Sequence, residues 1–174
     1  MATKRWNIDL AHSSVGFTVR HLVVSKVRGH FRKFGGSIDF DPENPAATTI
    51  EVSIDAASID TNEDKRDAHL RSPDFFDVEQ FPTLSFKSKR TEKQGDGYRV
   101  TGDLTLHGVT REVTLEAEYE GAGKDPWGGY RAGFSARTRI NRKDYGLGWN
   151  QVLEAGGLLV GDKVEIALEV EALA

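Results

Sequence analysis

No cysteine occurs among the 174 residues, which excludes disulfides, thiolate metal centres and a cysteine nucleophile. Long hydrophobic runs are missing too. The longest aliphatic stretches, 22–24 and 158–160, are three residues each, against about 20 for a membrane-spanning helix and about 7–15 for the core of an export signal. The expectation is a cytoplasmic protein without a transmembrane segment; a mature fragment of an exported protein would read the same way. Neither charge sign dominates. With 23 Lys plus Arg against 27 Asp plus Glu and a net charge of -4, there is no global attraction to nucleic acid.

Reactive motifs are also lacking. The five histidines, at 12, 21, 30, 69 and 107, form no HExxH pattern or facial triad, so no metal is expected. There is no GxSxG elbow, GxGxxG turn or phosphate-binding glycine loop. No cofactor and no catalytic residue is expected.

What is present is alternation. At 38% hydrophobic residues, with 18 glycines, the composition is that of an ordinary globular domain, and 1–174 reads as one domain. From Lys163 to Ala172, apolar Val164, Ile166, Leu168, Val170 and Ala172 alternate with Glu165, Ala167, Glu169 and Glu171, the signature of a half-buried strand. The pattern predicts eight strands, around 14–20, 27–40, 48–55, 83–90, 97–106, 110–120, 130–141 and 163–172. Their single polar faces argue for antiparallel pairing. Gly95-Asp96-Gly97 and His107-Gly108-Val109 read as hairpin turns. In the second strand the phase changes between Phe31 and Phe34, and Gly35-Gly36 marks an expected bulge whose curvature favours a barrel. Residues 121–129 read as a glycine-rich loop.

Between the third and fourth strands, Thr61 followed by Asp64 predicts a capped, charged helix through Leu70. The following Phe75, Phe76, Val78 and Phe81 are too apolar for a solvated loop and are expected to lie over the sheet as a plug or lid. An eight-stranded antiparallel barrel is either filled by side chains or holds one ligand. Small Gly102, Ala117, Ala132, Ala136 and Thr138 beside large Phe17, Phe31, Phe86 and Phe134 fit both a cavity and an interlocking core. An apolar lining requires an apolar guest, and each buried five-carbon branched unit contributes roughly 3–4 kcal/mol. Two acid-free basic stretches carry Arg20 and Arg28, then Arg137 and Arg142. They are either solvated outer faces or a welcome for an anionic head group at one rim.

Five segments are similar to those of the YceI-like polyisoprenoid-binding family: WNIDLAHSSVGFTV at 6–19, RHLVVSKVRGHF at 20–31, DAHLRSPDFFDVEQFPTLSF at 67–86, GDLTLHGVTR at 102–111 and NRKDYGLGWN at 141–150. The resemblance covers essentially the whole chain. It implies an all-β, eight-stranded antiparallel lipocalin-like barrel with a short helical insertion. It also implies non-enzymatic binding, storage or transport of a long isoprenoid lipid, a polyprenyl phosphate or polyprenyl quinone. The alternatives are a general fatty-acyl or amide-binding barrel, and an enzyme using His69 with a nearby carboxylate. By position, Phe17, Val19, Phe31, Phe34, Ile54, Phe86, Leu104, Leu115 and Phe134 would line the cavity. His21 and Val24 would form a turn at the mouth, and His69, Leu70, Phe75, Phe76 and Phe81 the wall or cap. Tyr145, Leu147 and Trp149 fill the last motif. Tyr145 stands where the family often has Phe, adding a hydroxyl aimed at a head group or a neighbouring carbonyl. A homodimer, with Trp127 or Tyr130 contributing, is a further expectation.

Overall fold

The chain folds as a string of hairpins that closes on itself. The computed structural model describes residues 4–22, 25–151 and 159–174. Among these, the strands are β1 (Lys4–Ile8), β2 (Ser14–His21), β3 (Ser25–Phe31), β4 (Phe34–Phe40), β5 (Thr49–Asp55), β6 (Ile59–Asp60), β7 (Thr83–Gln94), β8 (Gly97–Leu106), β9 (Val109–Lys124), β10 (Tyr130–Asn141) and β11 (Val160–Leu173), with helix α1 (Asp64–Arg71) between β6 and β7. All pairings are antiparallel.

Eight barrel strands emerge because four of these segments act as two broken strands. β1 and β2 lie end to end along β11, and β3 and β4 lie end to end along β2 and β1. The first break is a 3-10 turn, Leu10–His12, nucleated by Asp9, whose carboxylate accepts from the Ala11 N–H. β1 was absent from the expected strands, yet its pairing with both β4 and β11 closes the ring.

The second break corrects the expected bulge. Gly35 and Gly36 lie in regular register with Ser53 and Val52, and the phase instead changes at Arg32-Lys33. There the turn Ala56–Ser58 is wedged in: Arg32 N–H donates to the Ser58 carbonyl, Lys33 N–H to Ser58 Oγ, and Asp55 N–H to the Lys33 carbonyl. β6 then pairs with the end of β3, burying Ile59. A distant segment therefore satisfies the backbone groups that the broken strand would otherwise orphan.

Residues 121–124 are a second correction. They are strand rather than loop, because β10 supplies ladder partners as far as Tyr130↔Lys124. The loop proper is 125–129, organised by Asp125, which accepts from the Trp127 and Gly129 N–H groups and from Arg131. The expected helix is present, but its cap is Glu63, which accepts from the Arg66 N–H. Thr61 instead gives both its N–H and its hydroxyl to buried Asp67. At the turn between β8 and β9, His107 and Gly108 both take positive φ, the combination that a two-residue hairpin with native twist requires.

Candidate functional site: the barrel interior

Inward-facing residues of the strands surround a cavity of about 360 Å³, within the range of small-molecule sites of about 300–1,000 Å³. Its wall is almost wholly aliphatic and aromatic, with Val15, Ile38, Val52, Val100, Ile166 and Leu168 among the contributors. Strand alternation makes it so: the same residues that give the period-two pattern point to the barrel axis, and their charged neighbours face water.

The small residues serve two purposes. Gly102 and Gly29 are packing partners of aromatic rings, since a Cβ on Gly102 would lie 2.6 Å from Phe86 Cζ and one on Gly29 would lie 2.4 Å from Phe17 Cζ. Ala117 and Ala136 line the cavity. The interior is thus part interlocking core and part open space.

The two ends differ. Opposite the helical insertion, Phe40 packs on Tyr98, Tyr119 and Phe134 with ring centroids 5.4, 5.1 and 5.7 Å apart. Trp6 sits against Phe134 and stacks on Tyr130. Trp6, Phe40, Tyr98, Tyr119 and Phe134 belong to a separate core cluster that narrows the far end, where the last four of these rings line the cavity. At the insertion end, His69, Phe75 and Trp149 form a triangle, with centroid separations of 5.1 Å for His69–Phe75, 4.7 Å for His69–Trp149 and 5.3 Å for Phe75–Trp149. His69 Nε2 lies 2.8 Å from Asp74 Oδ2, which fixes the ring edge-on to its neighbours. Phe76 meets Phe31 edge to face at 5.9 Å. This aromatic triangle lines the insertion end of the cavity.

Of the residues expected to bind a ligand, Phe17, Val19, His21, Phe31, Phe34, Ile54, His69, Leu70, Phe75, Phe76, Phe86, Leu104, Leu115, Phe134, Leu147 and Trp149 all line the cavity. Val24 lies outside the described residues. Phe81 is outside the lining and packs on His107, ring centroids 5.0 Å apart. Tyr145 is also off the lining; it is buried in the core, where its hydroxyl has no hydrogen-bond partner among the described residues. Burial pushes that hydroxyl up to about 12.

The four arginines separate. Arg28 and Arg137 are exposed on the barrel exterior, away from the lining, whereas Arg20 and Arg142 belong to the cavity wall. Arg142 is only 3% exposed. Its guanidinium donates to the carbonyls of Gly161 (2.8 Å), Leu147 (2.5 Å), Trp149 (2.9 Å) and Val160 (3.3 Å). That makes it a clasp for the loop that carries Trp149, and burial holds its pKa below the usual range, with Asp162 at 3.9 Å acting in the opposite sense.

Several lining residues escape sequence reasoning. Arg66 enters the wall from α1 and is fastened to the hydroxyl and carbonyl of Thr61 at 2.7 and 2.8 Å. Thr48 and Thr91 enter at the far end. Thr91 is turned inward by a bulge between Ser88 and Arg90, which no alternation count reveals.

The chain has known counterparts in sequence and in fold. The sequence matches the YceI-like domain over residues 6–172. The chain belongs to the YceI-like family. A UPF0312 protein of Photorhabdus laumondii is 52% identical over 142 residues, covering 80% of this chain and 74% of that protein. A UPF0312 protein of Vibrio cholerae is 44% identical over 164 residues, covering 94% and 82%. Among solved structures, BcnA of Burkholderia cenocepacia superposes with a TM-score of 0.83 at 26% identity, covering 95% of this YceI-like chain and 99% of BcnA. A polyisoprenoid-binding domain from Saccharophagus degradans shares the fold, with a TM-score of 0.69 at 17% identity and coverage of 97% and 98%.

Proposed function

We propose that this YceI-like barrel is a non-enzymatic carrier or store for one long isoprenoid lipid, of the kind found in polyprenyl phosphates and polyprenyl quinones. The observation that carries the reading is the apolar cavity of about 360 Å³ that runs from the far-end rings to the His69–Phe75–Trp149 triangle, which serves as its mouth. A branched hydrocarbon chain gains roughly 3–4 kcal/mol for each five-carbon unit transferred from water to such a wall, so affinity needs no covalent chemistry. Among the described residues, no group of three or more His, Asp or Glu is placed to hold a metal ion. The fold neighbour described as a polyisoprenoid-binding domain supports the same ligand class by analogy of architecture.

Native mass spectrometry and organic extraction of protein purified gently from its natural host test this directly. A copurifying isoprenoid, and competition by a polyprenyl probe that outperforms a fatty acid, are the expected results. Protein that yields no lipid and fails to bind added polyprenyl compounds would sink the carrier reading.

A further inference from the structure

The far end of the cavity contains two hydroxyls with nothing to bond. Thr48 is 7% exposed and Thr91 4%, both line the cavity, and neither Oγ has a hydrogen-bond partner among the described residues. Burying an unpaired hydroxyl opposes folding, and valine has nearly the same shape without that cost.

Extending the β5–β7 ladder past its Glu51↔Lys87 pair carries Thr48 toward Thr91. β5 is tied to β7 by the Ile50 N–H, which donates to Ser88 Oγ at 2.8 Å. Thr48 lies two residues before Ile50 and Thr91 three after Ser88, so antiparallel pairing with one bulged residue sets them at neighbouring positions. Without the bulge, Arg90 would face inward. With it, Thr91 takes the inward phase opposite Val100, two residues from Tyr98. The position is deep: Thr91 is eight residues along β7 from the Thr83 end that follows the helical insertion, one of them bulged, about 23 Å of strand at roughly 3.3 Å per residue.

The surroundings offer an anionic guest little compensation. Three cations of β7 are engaged by acids, Lys87 by Glu51, Lys89 by Asp103 and Glu112, and Arg90 by Glu92 and Glu112, and the fourth, Lys93, lies over the Tyr98 ring at 4.9 Å from its centroid. At the same end, buried Asp41 has a carboxylate oxygen without a partner among the described residues. An anion placed here would be desolvated and uncompensated. A neutral oxygen would supply what both hydroxyls lack, since each can donate and accept.

We propose that Thr48 and Thr91 form a polar subsite that takes the neutral oxygen of the lipid, a hydroxyl or a carbonyl, so that the guest enters oxygen-first with its hydrocarbon running back toward Trp149. This rests on the carrier reading and specifies the ligand class within it.

The test measures the affinity of the full chain for three probes: geranylgeraniol, the isoprenoid hydrocarbon of the same carbon number, and geranylgeranyl phosphate. Wild-type protein is expected to bind the alcohol about tenfold more tightly than the hydrocarbon. T48V/T91V should erase that preference without weakening hydrocarbon binding, each single variant should remove part of it, and T48S/T91S should retain it. The unliganded T48V/T91V protein should melt no lower than wild type. A wild type with no preference for the alcohol, or a preference undiminished in T48V/T91V and in both single variants, overturns the subsite while hydrocarbon binding keeps the carrier reading intact. A loss of phosphate binding in the Val variants equal to that of the alcohol overturns the neutral-oxygen assignment. Failure of all three probes to bind wild-type protein overturns both readings.

Discussion

Ala117 on β9 and Ala136 on β10 are register partners that both face the cavity, so the wall at this point is one methyl group thick on two adjacent strands. Larger side chains here would grow into space that the ligand needs. Ala136→Phe is therefore expected to reduce polyprenyl affinity by at least about tenfold. Overpacking a filled site costs about 1–3 kcal/mol, but the added ring enters open volume, so the melting temperature should stay within a few degrees of wild type. A titration with a polyprenyl probe alongside a thermal melt separates blocking from unfolding. Unchanged affinity in a folded variant would show that the cavity is not the binding site.

Arg142 predicts a large structural effect. Replacing it with Ala leaves the carbonyls of Leu147, Trp149, Val160 and Gly161 without their donor. Hydrogen bonds from a charged group contribute about 1.5–3 kcal/mol, and losing several at one buried site should cost about 3 kcal/mol or more. At roughly 2–4 °C per kcal/mol for a chain of this size, the melting temperature should fall by about 6–12 °C or more. Arg142→Lys should recover little, because one ammonium cannot reproduce the planar fork. Calorimetry of both variants checks this.

Acid stability depends on Arg131. Its guanidinium bridges Asp9 at 2.7 Å, Asp125 at 2.7 Å and Glu171 at 3.1 Å, joining the end of β1 to β10 and β11. This contact, together with His12, holds the Asp9 carboxyl down at about 2, and Arg131 also lowers Asp125. Folded pKa values below the unfolded ones mean stability that is present in full above about pH 4 and lost as pH falls toward 2. Arg131→Met should move the acid-unfolding midpoint upward while leaving unfolding above pH 5 less sensitive to pH. Circular dichroism against pH measures it, and an unshifted midpoint would refute the assignment.

Tyr145 governs the alkaline side. Its hydroxyl is buried without a partner among the described residues and raised by burial to about 12, against about 10 in an unfolded chain. Stability is then full below pH 10 and declines as pH rises toward 12. Tyr145→Phe removes both the unpaired group and that titration. The variant should be as stable as wild type or more stable by about 1 kcal/mol at pH 7, with a flatter decline above pH 10. A variant that is markedly less stable at pH 7 would mean that the hydroxyl has a partner in solution.

Alternation alone determined a good deal of this molecule. Val164 to Ala172, Leu84 and Phe86, and Val100 to Leu106 announce which face each strand buries, and the His107-Gly108 pair announces a hairpin. Those local rules yield an antiparallel barrel and most of its lining, because a strand's side chains have only two directions to choose from. Sequence periodicity does not carry phase across an interruption. The wedge of Ala56–Ser58 at Arg32-Lys33, the bulge that turns Thr91 inward and the closure of the ring by Lys4–Ile8 all depend on partners distant in the chain. Nor does it carry distance across the barrel: Gly102 holds the Phe86 ring, whereas Ala117 and Ala136 leave room. Tertiary packing decided which small residues are filled and which face a cavity, because volume is a property of facing walls, not of any one strand.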